Sequence, residues 1–289
     1  MSHQAISAPH DHRPSVRRIA PGALIWAFVE RQTNLWKRYW GWELVWLFYG
    51  VVNTLAITFI AEEVGFQERG AEAAVQDLVL FLLLGTLAWA YLSAVIDDIS
   101  MVVSWERWEG TIEHTLMAPV PRVLHLTGMC LFAVLHALVR TVLIGTVALF
   151  FFHVDFARAN WPAAAAVVLV GSSSVAALAI LAGVLPLIYP ERGTQMTLMV
   201  QAAVLLVSGV YYRVEVLPPW LRVLSFVSPA TYILDGLRGA IQHGRSTAEL
   251  WPELALLAGY GALLIPLSLA TFAAAERWAK RTGRLKRSG

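Results

Sequence analysis

The amino-acid sequence predicts an all-α integral membrane protein with six transmembrane helices, and three observations carry that reading. Hydrophobic residues make up 57% of the 289-residue chain and charged residues 15%, against about 25% charged in an ordinary soluble domain. Apolar runs of about 20 residues recur along the chain, each long enough to cross a hydrocarbon core about 30 Å thick. Basic residues fall in blocks and the formal net charge is only +2, which gives no ground for a nucleic-acid surface and fits membrane topology instead. The single cysteine, Cys130, lies inside an apolar run, so no disulfide framework or Cys-based metal site is available within the chain.

Residues 1–21 are polar, carry His3, His10 and His12 beside Arg13, Arg17 and Arg18, and read as a disordered cytoplasmic tail. No ordered scaffold there would fix the histidines around a metal. Residues 22–40 set Ile25, Phe28, Val29, Leu35, Trp36, Tyr39 and Trp40 against Glu30, Arg31, Asn34, Lys37 and Arg38, an amphipathic pattern expected of a helix in the membrane interface. A helix packed on a protein partner is the alternative.

A transmembrane domain follows over residues 41–276, with spans expected at 44–61, 78–96, 124–152, 163–189, 194–212 and 254–272. The third span, run from Arg122 to Phe152, would measure about 46 Å as one helix, so it should tilt or project into the cytoplasm. Pro186, Pro190 and Pro266 are kink or hinge positions. Between 216 and 241, Pro218-Pro219-Trp220 and then Ser228-Pro229 bound two short apolar helices of about 10 residues, each half of a hydrocarbon core in length. They read as an extracellular re-entrant pair, since irregular backbone at membrane depth must be covered by protein. Asp235 and Arg238, three apart on the second piece, are placed to pair.

Residues 277–289 form a basic cytoplasmic tail. An even number of spans puts both termini on one side. That side gathers the two terminal blocks with Arg107, Arg122 and Arg192, whereas the other holds only Arg69, Arg158, Arg213, Arg222, Arg238 and Arg245. The positive-inside bias therefore makes both termini cytoplasmic. An Arg- and Ala-rich composition fits a bacterial chain in the plasma (inner) membrane.

The loop after the second span is the most informative segment. Trp105, Glu106, Arg107, Trp108, Glu109, Gly110, Thr111 and Glu113 combine apolar anchors with mixed charge, and Gly110-Thr111 suits the end of one helix and the N-cap of the next. A membrane subunit driven by a soluble motor needs such a knob. Catalytic signatures are missing: there is no Gly-x-x-x-x-Gly-Lys-[Ser/Thr] phosphate loop, and none of Lys37, Lys280 and Lys286 precedes a Ser or Thr. Gly-x-Ser-x-Gly and His-Glu-x-x-His are likewise absent, so the chain reads as a non-enzyme without a cofactor or metal of its own.

Glu106 to Glu113 followed by Pro119, Leu217-Pro218 with Trp220-Leu221, Ser228-Pro229-Ala230-Thr231-Tyr232, Asp235, Arg238 and Gly244 appear in that order. Over essentially its whole length the chain thereby resembles the permease subunits of ABC type-2 transporters. The resemblance implies a dimer of six-span subunits, more simply a homodimer than a heterodimer, with ATP and Mg on a separate ATPase subunit. It implies a connecting helix at 22–40, a coupling helix around Glu106 to Glu113, and an outer gate that includes Pro218, Pro219, Trp220, Pro229, Tyr232, Asp235 and Arg238. It also places Tyr49, Asn53, Thr58, Trp89, Gln201 and Ser208 near the translocation path.

Arg140, with His136 one turn before it, lies mid-span and should face protein or a wet cavity, since a lipid-facing arginine costs about 2.5–3.5 kcal/mol. A hydrogen bond to helix carbonyls or an ion pair is expected ahead of a substrate contact. Glu43, Asp97 and Asp98 sit at span ends, which argues against a proton-coupled secondary transporter; a membrane scaffold is the other alternative. The aromatics Trp40, Trp42, Trp46 and Tyr49 favour an amphipathic, drug-like or lipid-linked cargo over a polysaccharide or glycolipid.

Overall fold

The computed structural model describes residues 20–67, 72–118, 120–189 and 191–282, and all of their side chains except those of 65–67, 72, 73 and 113. Residues 1–19 of the N-terminal tail and 283–289 of the C-terminal one lie outside that set, as do Pro119 and Pro190. The ordered elements are α1 (Pro21–Arg38), α2 (Trp40–Gln67), α3 (Glu72–Trp108), α4 (Ile112–Met117), α5 (Arg122–Phe151), α6 (Trp161–Ile188) and α7 (Gly193–Val207). A 3-10 turn at Val214–Val216 leads to α8 (Pro219–Val227), α9 (Pro229–Ile241) and α10 (Trp251–Arg281).

Five of these helices, α2, α3, α5, α6 and α10, are long and apolar enough to cross a membrane. Within their most apolar windows α3 is 72% and α6 61% buried, against 17–22% for α2, α5 and α10, so the first two form the centre and the others the rim. The centre is built from small side chains: Ala163, Ala164, Gly171, Ser172, Ser174 and Ala176 of α6 are all buried. Small residues let helix backbones approach where lipid supplies no hydrophobic drive for association. Gly171 lies against Ile233 of α9, and Gly261 of α10 against Ser173. Tyr91 on α3 ties into the same seam through a 2.5 Å hydrogen bond with Ser172.

Two boundaries differ from the sequence expectation. The second span and the following loop are one continuous 37-residue helix, α3, about 55 Å long, so the coupling segment is the end of a span and not a separate element until Thr111. The fifth candidate, 194–212, is helical only as α7, 15 residues and about 22 Å, short of a full hydrocarbon core. Its helix stops because Gly209 turns the chain with φ +69, and Arg238 of α9 donates to the carbonyls of Gly209 at 2.9 Å and Val210 at 2.7 Å. Hydrogen bonds that would have continued the helix are thereby satisfied from another element.

At the same end of the bundle the loop into α10 is closed by Glu249. Its carboxylate accepts from the Ser246 N–H at 2.6 Å and the Ser246 hydroxyl at 3.0 Å. Those two bonds hold the carboxyl below the usual range.

Candidate functional site

A cavity of about 830 Å³ opens between α1, α2, α3, α5 and α7. Aromatic side chains from four helices make its walls, among them Trp36, Trp42, Trp46, Tyr49, Trp89 and Phe132. Of the residues expected along a path, Tyr49, Trp89 and Gln201 line it. The other three lie elsewhere. Thr58 is buried in α2, Asn53 hydrogen-bonds with Tyr211, and Ser208 is buried against Ser228 at 2.9 Å.

The floor of the cavity is charged. Glu43 and Asp98 grip His136 from two sides, with Nε2 3.3 Å from the Glu43 carboxylate and Nδ1 2.6 Å from that of Asp98. Donating to both carboxylates takes the doubly protonated imidazolium. The ring also stacks on Phe132 at 5.5 Å. Asp97 accepts from the Gln201 amide at 2.6 Å. Arg140, one turn above His136, donates to the Trp46 carbonyl at 3.0 Å, which supplies the helix-carbonyl partner expected of a mid-span arginine. Glu43 stands in the first turn of α2, as expected of a span end, whereas α3 continues past Asp97 and Asp98 to Trp108; all three carboxylates line the cavity.

Below the cavity lies the end of α3. Glu106 is buried and pairs with Arg31 of α1 at 2.6 Å, while Thr115 of α4 donates to the same carboxylate oxygen at 3.2 Å. Arg107 is buried and donates to the Leu187 carbonyl at 3.1 Å. Gly110 takes φ 75, which lets the chain reverse into α4. Thr111 occupies the N-cap position, but its side chain makes no capping bond and sits 3.4 Å from the Glu106 carbonyl instead. Trp105 packs on Tyr39, whose hydroxyl reaches Glu109 at 3.3 Å, whereas Trp108 is 67% exposed. The two indoles meet edge-to-face at 5.7 Å, Trp105 against Tyr39 and Trp108 exposed like Met117, and the backbone of Glu113 continues the same α4 turn.

At the opposite end, Pro218 and Pro219 start α8, and Pro229 starts α9. Trp220 is exposed on α8, and the Tyr232 hydroxyl donates to the Phe226 carbonyl at 3.0 Å, linking the two short helices. The expected pairing of Asp235 with Arg238 is not formed: Arg238 is buried, lies 3.6 Å over the Phe81 ring and spends its donors on Gly209 and Val210, while Asp235 is exposed. Residues three apart on a helix can meet, but the two carbonyls left free at the end of α7 compete for the guanidinium and win.

Sequence reasoning missed one latch. Glu276 of α10 is buried and bridges Arg122 and Lys280 at 2.8 Å each. Arg122 and Lys280 then donate to the Leu116 carbonyl at 3.0 and 2.8 Å, capping the C-terminal end of α4. The available signal was the Glu276/Lys280 spacing of four, hidden in a stretch dominated by its positive charges.

Residues 23–241 match the family model described as ABC-2 type transporter. No curated protein matches the chain.

Proposed function

The chain belongs to the ABC-2 type transporter family, and on that premise we propose that it is the permease subunit of an ATP-driven exporter. It works as a homodimer in a bacterial plasma membrane with both termini cytoplasmic. The aromatic cavity is the inner part of the path for an amphipathic, drug-like or lipid-linked cargo. The observation that carries this reading is the continuity of α3, whose middle lines the cavity and whose end presents Trp108 beside α4. Force applied at Trp108, Gly110 and α4 by a partner ATPase, which holds the ATP and Mg, reaches the cavity through one rigid helix. In this reading α7 and the turn after it make the fifth of six crossings, and α8 and α9 cap the outer end.

The test is reconstitution with the ATPase. The chain by itself should show no ATP hydrolysis, and the partner should gain cargo-stimulated activity when the two are combined. Glu109→Arg should reduce that stimulation at least about tenfold while leaving the melting temperature within a few degrees, because a half-exposed charge reversal opposes docking more than folding. Hydrolysis by the chain alone, or unchanged stimulation in the variant, overturns the assignment.

Topology has its own test. After Cys130→Ala, a cysteine at Met117 should react with an impermeant thiol reagent only from the cytoplasm, and one at Val216 only from outside. Both sites are well exposed, at 77% and 74%. Ser104, which faces Thr194 at 3.3 Å, is a poor reporter by comparison. Labelling of both sites from the same side would mean that α7 and its turn do not complete a crossing.

A further inference from the structure

We propose that the cavity is selective for amphiphilic organic cations, with Asp97 as the counter-charge; this deepens the transport reading and rests on it. The volume, about 830 Å³, is that of a site for a drug-sized ligand. Its walls present indole and phenol faces from Trp36, Trp42, Trp46, Tyr49 and Trp89, and such faces attract a desolvated cation through the ring quadrupole.

The charges decide the sign. Glu43 and Asp98 are both occupied by His136, and Arg140 is turned to the Trp46 carbonyl. Asp97 is hydrogen-bonded by the neutral amide of Gln201 and feels Arg140 only beyond contact, since among the described residues no Lys, Arg or His lies within ion-pair distance of it. By formal charge, the three carboxylates Glu43, Asp97 and Asp98 outnumber His136 and Arg140 by one. Glu109 at the rim adds another. A carboxylate held in an aromatic-walled cavity without a cation is costly, and a bound cation removes that cost. An anionic headgroup in the same place would meet three carboxylates.

Tetraphenylphosphonium and tetraphenylborate provide the test, being nearly identical in shape and opposite in charge. Equilibrium dialysis of the full chain in an uncharged maltoside detergent, with protein-free micelles as the blank, should show saturable binding of the phosphonium at least about tenfold tighter than of the borate. Asp97→Asn keeps an oxygen for Gln201 but removes the charge, and should weaken phosphonium binding about tenfold while leaving borate binding no weaker, since the same charge that attracts the cation repels the anion. Equal or tighter borate binding overturns the proposal. So does a folded Asp97→Asn protein with unchanged phosphonium affinity. If that variant does not fold, the comparison of the two probes on the unmodified chain decides alone. Failure of the exporter reading is separable, because binding is measured without the ATPase. Conversely, a partner ATPase stimulated by an uncharged amphiphile, with no phosphonium binding, keeps the exporter and discards the cation.

Discussion

Arg31→Leu is expected to be among the most damaging single substitutions in the inner half of the protein, lowering stability by about 3 kcal/mol. Glu106 is 5% exposed and takes its positive charge from Arg31 at 2.6 Å. With the guanidinium gone, the carboxylate keeps the Thr115 hydroxyl and only the more distant charge of Arg122, and a buried charge without a contacting counterion costs far more than the pair contributes. Arg31 itself is about a third exposed, which holds the figure at the lower end of the range for buried pairs. Glu106→Gln should cost less than Arg31→Leu, since a neutral amide still accepts from Thr115 and asks for no counterion. The double variant should be more stable than Arg31→Leu alone. Melting in detergent reads all three, and stimulation of the partner ATPase should fall in the same order. The reason is geometric: the Glu106 carbonyl accepts the Thr111 N–H at 2.8 Å, so loosening Glu106 loosens the turn into α4. A silent Arg31→Leu would mean that α1 and the end of α3 are held by packing of Tyr39 on Trp105 instead.

The second large effect is expected at Arg238. Arg238→Gln leaves the Gly209 and Val210 carbonyls without their donors and removes a cation from 3.6 Å above the Phe81 ring. Charge-assisted bonds to buried acceptors contribute about 1.5–3 kcal/mol each, so a loss of about 3 kcal/mol or more is expected. No shorter donor can take over easily, because the turn is packed against Gly85, where even a Cβ would collide with the Val210 carbonyl. Asp235→Asn should change stability by less than about 0.5 kcal/mol, as surface substitutions do. Adding it to Arg238→Gln should restore nothing. Equal losses for the two single variants, or recovery in the double, would restore the direct Asp235–Arg238 pair.

The candidate site was legible in part. The aromatic residues at the start of α2 and the knob after the second span stand out because tryptophans beside mixed charge have few other uses. Their partners do not. Asp98 meets His136 across 38 residues, Asp97 meets Gln201 across 104, and Arg122 meets Glu276 across 154. Span bounds read from hydropathy likewise could not show that the helix runs on past Asp97 and Asp98, whose donors come from other helices.

What the sequence by itself determined is the all-helical membrane class of the protein, the five helices long and apolar enough to cross a membrane, and the family. A hydrocarbon solvent imposes one local condition on every span, continuous apolar side chains with backbone bonds closed within the helix, and a local condition leaves a local record. Only the tertiary structure decided that α7 ends at Val207, that Arg238 serves the turn after it and not Asp235, and that three carboxylates share one cavity. Each of those outcomes is a competition for a polar group inside low-dielectric surroundings, where the winner is whichever donor the packing of distant helices brings within about 3 Å.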